Sequence, residues 1–190
     1  MLTGGAKAAP APVRVIGIDP GTRHLGWGVV ERQGSRTTHI AHGVVDTDES
    51  RPLCDRLVEI DDALEIVIAE HAPTAAAVEG IFFAKDATAA AKLGHARGIV
   101  LLRLARAGLV AAEYPPSRVK RAVVGSGLAT KAQVAQIVTG LLRLTAPPRV
   151  DAADALAIAL AHLSIAPFQE ASARLLALAG PPASRRRRRF

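Results

Sequence analysis

The chain has 190 residues, of which 49% are hydrophobic, and it carries a net charge of +7. This length predicts one domain with flanking segments, and the apolar fraction is ample for a single core. One cysteine, Cys54, excludes an intramolecular disulfide, and no segment is predicted to span a membrane, so we expect a cytoplasmic protein. Residues 81–150 hold 11 basic and 2 acidic side chains. The folded body, and not only the arginine run at 185–189, therefore favours a polyanionic partner.

The chain divides into a flexible leader at 1–12, a body at 13–166, and a C-terminal helix with an Arg-rich tail at 167–190. The leader lacks the apolar block of a secretory signal. The body opens with a predicted meander of antiparallel strands, followed by an amphipathic helix in which apolar residues recur at helical spacing. These elements are predicted at about 13–19, 25–32, 37–46 and 53–70.

The second half of the body alternates strands and helices. AAAVE, at 75–79, is a short, fully apolar strand of the buried parallel type. Ser117 and Thr130 are expected to cap two of the following helices. The remaining elements are predicted as a helix at 86–107, a strand at 109–114, and helices at 117–123, 131–144, 151–165 and 169–180. This order predicts an α/β domain with a mixed sheet.

Four carboxylates stand at the ends of these elements. Asp19 and Glu79 each end a strand, while Asp151 and Asp154 open a helix and share one of its faces. Each has an ordinary alternative: Asp19 can stabilise its own turn, Glu79 can be a solvated strand end, and the helix acids can interact with the helix dipole. However, the helix after Asp154 carries no polar residue until His162, which indicates burial, and buried carboxylates need a partner such as a metal ion.

Four segments together resemble the RuvC family of crossover (Holliday) junction endodeoxyribonucleases, in order and in spacing. They read GIDPGTRHLGWGVV, VEGIFFAKDATAAAKLGHARG, PPSRVKRAVVGSGLATKAQV and DAADALAIALAH, and the resemblance extends over about 13–163. It implies a ribonuclease-H-like fold with a mixed five-stranded sheet flanked by helices. It also implies a homodimer that makes metal-dependent, paired, symmetric nicks in two opposed strands of four-way junction DNA, in recombination and repair. In that fold the strands ending at Asp19 and Glu79 are neighbours.

The resemblance also assigns roles to particular residues. The four acids, Asp19, Glu79, Asp151 and Asp154, would be the catalytic metal ligands. Oxygen ligands favour Mg²⁺, with Mn²⁺ as an expected substitute, and four negative charges would balance two such ions. One ion would activate water and the other would stabilise the leaving 3′ oxygen, giving a 5′ phosphate and a 3′ hydroxyl. The residues expected to contact DNA are Phe82, Lys85, Lys92, Arg97, Lys120 and Lys131.

Two other functions remain open at this point. DPGT, at 19–22, also resembles the phosphate loop of actin-like ATPases and sugar kinases, although that architecture normally needs a second loop and a duplicated domain. A protein that binds junctions and recruits other enzymes without cutting would share the basic surface, but loss of an acid would be expected. The family resemblance further implies the RuvA–RuvB branch-migration complex as a partner. The helix at 86–106 is a candidate dimer surface. The six histidines of the chain show no spacing that suggests a cluster.

Overall fold

The computed structural model describes residues 11–80 and 87–179 of the chain. Most predicted elements are present, with ends that shift by one to three residues. In chain order the elements are β1 (Val13–Asp19), β2 (His24–Gln33), β3 (Arg36–Asp46), α1 (Leu53–His71), β4 (Ala75–Glu79), α2 (Ala87–Arg106), β5 (Ala111–Tyr114), α3 (Pro116–Val124), α4 (Lys131–Leu141) and α5 (Val150–Ala179).

The strands form one mixed sheet in the order β3-β2-β1-β4-β5. The first three strands are an antiparallel meander, whereas β4 runs parallel to β1 and β5 runs parallel to β4. The predicted mixed five-stranded sheet is therefore confirmed. Because β1 and β4 are parallel neighbours, their C-terminal ends lie at the same edge of the sheet.

Helices cover both faces of the sheet. Ile16 and Ile18 of β1 belong to a buried cluster with side chains of α1 and α2, while Val15 lies in a second cluster with α3, α4 and α5. Successive strand residues point to opposite faces, which explains why neighbouring residues of β1 enter different clusters. The same alternation places Asp19 on the face that α5 covers.

Helix α5 lies directly on the first two strands because glycines leave room for its backbone. A Cβ atom on Gly17 would overlap the carbonyl oxygen of Ala155, and one on Gly26 would overlap that of Asp151. Gly26 is also the residue of β2 that pairs with Asp19. Two sheet positions without side chains thus bring the first turns of α5 against the end of β1.

The structure corrects the prediction for the C-terminal part of the body. Two helices were predicted, but α5 is one helix from Val150 to Ala179, with Pro167 inside it, so the predicted boundary at 166/167 falls within a helix. An internal proline removes one backbone hydrogen bond and bends a helix without always ending it. Contrary to the sequence prediction, the Val150–Gln169 stretch is long and apolar enough to cross a membrane, but more than half of it is buried in this fold. Such burial is expected of a core helix.

The predicted helix caps have different outcomes. Thr130 caps α4 as predicted and forms a reciprocal capping box with Gln133. The prediction that Ser117 caps α3 was wrong, because that helix begins at Pro116, after Pro115, with no side-chain cap. Proline already has the backbone angle of a first helical residue and has no N–H that needs a partner, so no capping side chain is required.

Candidate active site

Two carboxyl groups meet where β1 and β4 end. Ile18 pairs with Val78 in the parallel register, so the next residues, Asp19 and Glu79, lie side by side at the edge of the sheet. Both side chains are partly buried on the face covered by α5. A hydrogen bond between the two carboxyl groups adds to the causes that raise the pKa of Asp19. The predicted proximity of these two acids is confirmed.

Helix α5 adds a third acid, and α4 adds a cation. The charge of Asp154 acts on both Asp19 and Glu79. Lys131, the first residue of α4, donates a hydrogen bond from Nζ to Asp154 Oδ2 at 2.7 Å. The sequence around Asp154 offers no basic neighbour, and this partner comes from a different element 23 positions away. The Thr130 capping box fixes the start of α4 and so determines where the Lys131 side chain begins.

The proximity of these acids changes their protonation. Burial, followed by the charges of Glu79 and Asp154, raises the pKa of Asp19 to about 8. Burial, followed by the charge of Asp154, also raises the pKa of Glu79, while Lys131 and Lys120 lower it. Asp154 and the other acids in turn raise the pKa of Lys131. The negative charge of the cluster is therefore only partly compensated by protein cations.

Asp151, the fourth predicted acid, lies one turn before Asp154 and is partly buried. Within the described part of the chain its charge acts on Arg149 and not on Asp19 or Glu79. The structure therefore brings three of the four predicted acids together and places the fourth beside them on α5.

Two of the four lysines predicted to contact DNA, Lys120 and Lys131, also reach this site. A cavity of about 240 Å³ is lined by Glu79, Asp154, Lys120 and Lys131, together with apolar side chains of α3, α4 and α5. Lys131 is 66% exposed. A small pocket that holds two acids and two lysines suits an anionic substrate that approaches a bound cation.

The donor set fits a hard divalent cation. Carboxylates with raised pKa values, grouped at one end of a sheet, are oxygen ligands whose protons a metal can replace. Within residues 11–80 and 87–179, however, no three His, Cys, Asp or Glu side chains are arranged to hold a metal as they stand. One of the acids, Asp154, has its carboxylate hydrogen-bonded to Lys131. Asp19, Glu79 and Asp154 are the residues that would hold the ion, with Asp151 next to them.

The remaining predicted DNA contacts have different positions. Lys92 is exposed on α2, as a contact to DNA requires. Arg97 is only 7% exposed, and its guanidinium group is bound to the ends of β4 and β5. This position favours a structural role for Arg97 within the protein over the predicted contact with the DNA backbone. Phe82 and Lys85 lie outside the described residues.

The residues that hold the loop after Asp19 were not identified from the sequence. Arg56 of α1 is buried and donates to the carbonyl oxygen of Thr22, in the loop after Asp19, and to Thr47 Oγ1 at 3.1 Å. Thr47 Oγ1 also donates to the Thr22 carbonyl at 2.6 Å. A buried arginine in an otherwise amphipathic helix was a possible signal, but its partners come from distant positions.

A second support holds the start of α5. Arg149 forms two hydrogen bonds with Asp46, at 2.5 and 2.9 Å, and His24 Nδ1 lies 2.6 Å from the same carboxylate. The Arg149 carbonyl also accepts a hydrogen bond from the backbone N–H of Ala153. These contacts connect the start of β2 and the end of β3 to the first turn of α5, the helix that carries Asp154.

A larger groove, of about 1110 Å³, lies away from these acids, between β3 and the connection from α4 to α5. His39 and His42 line it and contact each other, with Nε2 and Nδ1 2.7 Å apart. Burial lowers the pKa of both rings. The expectation of scattered histidines was wrong for this pair, since a β-bulge places on one face two residues that regular alternation would separate.

Known proteins show the same sequence pattern over most of the chain. A family model described as "Crossover junction endodeoxyribonuclease RuvC" matches residues 15–162. The crossover junction endodeoxyribonuclease RuvC of Sorangium cellulosum (strain So ce56) is 65% identical over 176 residues, which cover 93% of this chain and 96% of that protein. The corresponding protein of Caulobacter vibrioides is 47% identical over 154 residues, covering 81% and 91%.

Solved structures show the same fold. The structure of T. thermophilus RuvC in complex with a Holliday junction substrate aligns with a TM-score of 0.78 and 40% identity, covering 83% of this chain and 96% of that one. The yeast mitochondrial resolvase Ydc2, at 12% identity and a TM-score of 0.58, supports the ribonuclease-H-like fold alone. Sequence and fold agree over the segment that carries the acids, so the chain belongs to the RuvC family of metal-dependent crossover junction endodeoxyribonucleases.

Proposed function

We propose that this protein resolves four-way DNA junctions as a homodimer, by hydrolysing one phosphodiester bond in each of two opposed strands. The observation that carries the proposal is the cluster of Asp19, Glu79 and Asp154 at one edge of the sheet, with Lys131 and Lys120 beside it. Acids that raise one another's pKa values suit a metal-dependent hydrolase. The T. thermophilus structure that the chain resembles holds a Holliday junction substrate.

The protein side chains divide the work at this site. Asp19, Glu79 and Asp154, with Asp151, would hold Mg²⁺, for which Mn²⁺ can substitute. When bound, the metal supplies an activated water and stabilises charge on the leaving oxygen. Lys131 and Lys120 border the cavity and place positive charge where a phosphodiester would enter. The acids thus orient the reacting groups, and the lysines reduce the repulsion between the acids and the DNA.

The basic surface supplies affinity rather than sequence recognition. Lys92 is exposed on α2, and contacts of this kind with phosphates weaken as salt increases. A four-way junction has approximate two-fold symmetry, so a two-fold dimer would present one acidic site to each of two opposed strands. The exposed side of α2, including Leu102, is a candidate surface for that dimer. We expect the protein to act in the cytoplasm, in DNA repair, with a RuvA–RuvB complex as its partner.

A labelled synthetic four-way junction tests the proposal, with linear duplex of the same sequence as control. The protein is incubated with each DNA in Mg²⁺, in Mn²⁺ or in EDTA. Paired symmetric nicks in the junction alone, and only with metal, are expected. Tight junction binding without nicks in either metal would instead favour a recruiting protein that does not cut.

A further inference from the structure

Arg97 is buried in a position where a charged side chain is costly. It is 7% exposed and lies on α2, which packs against the face of the sheet opposite to α5. Besides Arg97, Arg56 is the other charged residue that is buried among the described residues. A buried guanidinium requires partners for its charge and its N–H groups. The identity of those partners shows what the residue does.

Both partners stand near the C-terminal ends of the neighbouring strands β4 and β5. Arg97 Nη1 donates to the backbone carbonyl oxygen of Glu79 at 2.6 Å, and Nη2 forms an ion pair with Glu113 of β5. Gly80 donates its backbone N–H to the Tyr114 carbonyl at 2.8 Å. The guanidinium group therefore joins the last residues of β4 and β5 at the point where the chain leaves the sheet.

The contact between Arg97 and Glu79 lies on the opposite side of the sheet from the acid cluster. The Glu79 side chain faces α5 and the other acids, while Arg97 approaches from the α2 side and binds only the backbone of that residue. The carboxylate stays free for a metal, but the peptide group that determines its direction is held. Strand β4 ends at Glu79, and the Gly80 hydrogen bond to Tyr114 holds the same peptide group from the β5 side.

We propose that Arg97 is a positioning residue that fixes Glu79 for metal binding by holding its carbonyl oxygen. The proposal rests on the metal-dependent activity proposed above. Loss of the guanidinium would leave the Glu79 carbonyl oxygen without its donor, and the peptide group would then be held through its Gly80 N–H, so the carboxylate would be held less firmly in one direction. Partners of this kind, one step removed from a metal ligand, typically change metal affinity by about 10- to 100-fold.

The test compares Arg97→Gln and Arg97→Lys with a matched control, Arg103→Gln. Arg103 lies on the same helix, its side chain is also largely buried, and its ion pairs are with Asp61 and Glu65 of α1. Each variant is measured for unfolding by urea, for Mn²⁺ affinity by electron paramagnetic resonance without DNA, and for junction affinity in EDTA. Hydrogen exchange at the Gly80 amide gives a fourth, metal-free measurement.

Arg97→Gln should weaken Mn²⁺ binding by about tenfold or more and speed exchange at Gly80, with junction affinity changed less than about threefold. Arg97→Lys should recover part of the Mn²⁺ affinity, because an ammonium group can still donate one hydrogen bond. Arg103→Gln should lose comparable stability with unchanged Mn²⁺ affinity. Unchanged Mn²⁺ affinity in Arg97→Gln, or an equal loss in Arg103→Gln, would overturn the proposal. A large loss of junction affinity in Arg97→Gln alone would also overturn it and restore the DNA-contact prediction.

If Arg97→Gln does not fold, Glu113→Gln provides the second variant. Glu113 is about half exposed, and its neutralisation leaves the arginine in place with a weaker anchor. A smaller loss of Mn²⁺ affinity in the same direction is expected, and no change there would overturn the proposal. Because Mn²⁺ binding is measured without DNA, these results do not depend on whether wild-type protein cuts junctions, which is tested separately.

Discussion

Lys131 Nζ lies 2.7 Å from Asp154 Oδ2, so an ammonium group from α4 occupies one side of the acid cluster. The positive charge of the lysine offsets part of the negative charge of the acid cluster and lowers the pKa values of Asp19 and Glu79, which burial and the neighbouring acids raise. It cannot satisfy all three acids, since it has one positive charge. This leaves negative charge for a divalent cation and gives the cluster a cation that can also face a phosphate.

The first prediction concerns Asp19→Asn. This change keeps the shape of the side chain but removes a charged metal ligand, so junction cutting should be abolished while junction binding in EDTA is retained. Gel-shift and cleavage assays on the same labelled junction measure the two properties. Cutting at the wild-type rate would contradict the assignment of the acid cluster as the metal site.

The second prediction concerns pH and metal-free stability. The pKa of Asp19 rises from 3.8 to about 8 on folding, so between these values the folded protein holds a proton that the unfolded chain has lost. Stability should therefore fall as pH rises from about 4 to about 8, and level off above that. Urea unfolding in EDTA at several pH values measures this slope.

The Asp19→Asn variant is the control for that slope. It lacks the titrating group, so its metal-free stability should exceed that of wild type near pH 8 and should change less with pH. A saturating divalent cation should also reduce the wild-type slope, since metal replaces the proton. Parallel pH profiles for wild type and variant in EDTA would show that Asp19 is not the titrating group.

The third prediction concerns Lys131→Gln. Loss of the ammonium group removes positive charge beside the entering phosphodiester, and we expect a fall in the single-turnover cleavage rate of about 10²-fold. Junction affinity should change by a few-fold at most. Lys92→Gln is the matched control, because that exposed lysine lies on α2, away from the acids, and its loss should affect salt-dependent binding more than rate. Equal effects of the two changes on rate would contradict a specific role for Lys131.

The fourth prediction concerns the contact between α5 and the sheet. In Gly26→Ala the new methyl group would overlap the Asp151 carbonyl, so the helix must move. A loss of about 3 kcal/mol in unfolding free energy is expected, together with slower cutting, because the same turns carry Asp154.

Gly140→Ala is the control for that prediction. Gly140 lies in α4 with nothing within 4 Å of the added methyl group, and alanine favours a helix. This variant should be as stable as wild type or more stable, by about 0.5–1 kcal/mol. Equal stability of Gly26→Ala and wild type in urea unfolding would show that α5 adapts without cost.

Much of the fold could be read from the sequence because its patterns are local. The alternating and continuous apolar runs predict the five strands, and the helical spacing at 53–70 predicts α1, since each pattern depends on which face of one element is buried. Thr130 and Gln133 are close enough in sequence to reveal their capping box. The continuity of α5 through Pro167 escaped prediction because an internal proline removes one backbone hydrogen bond without always ending a helix.

By itself the sequence determined the family, the strands that end in acids, and a candidate site of four acids, Asp19, Glu79, Asp151 and Asp154. Tertiary structure alone decided the rest. It turned Arg97 inward to the Glu79 carbonyl, brought Lys131 to Asp154, and tied Arg149 to Asp46 across 103 positions. The physical reason is that a charged residue in the sequence indicates that a partner is needed if it is buried, but does not indicate which residue that partner is. The partner is chosen by chain segments that meet after folding, when burial makes an unpaired charge costly.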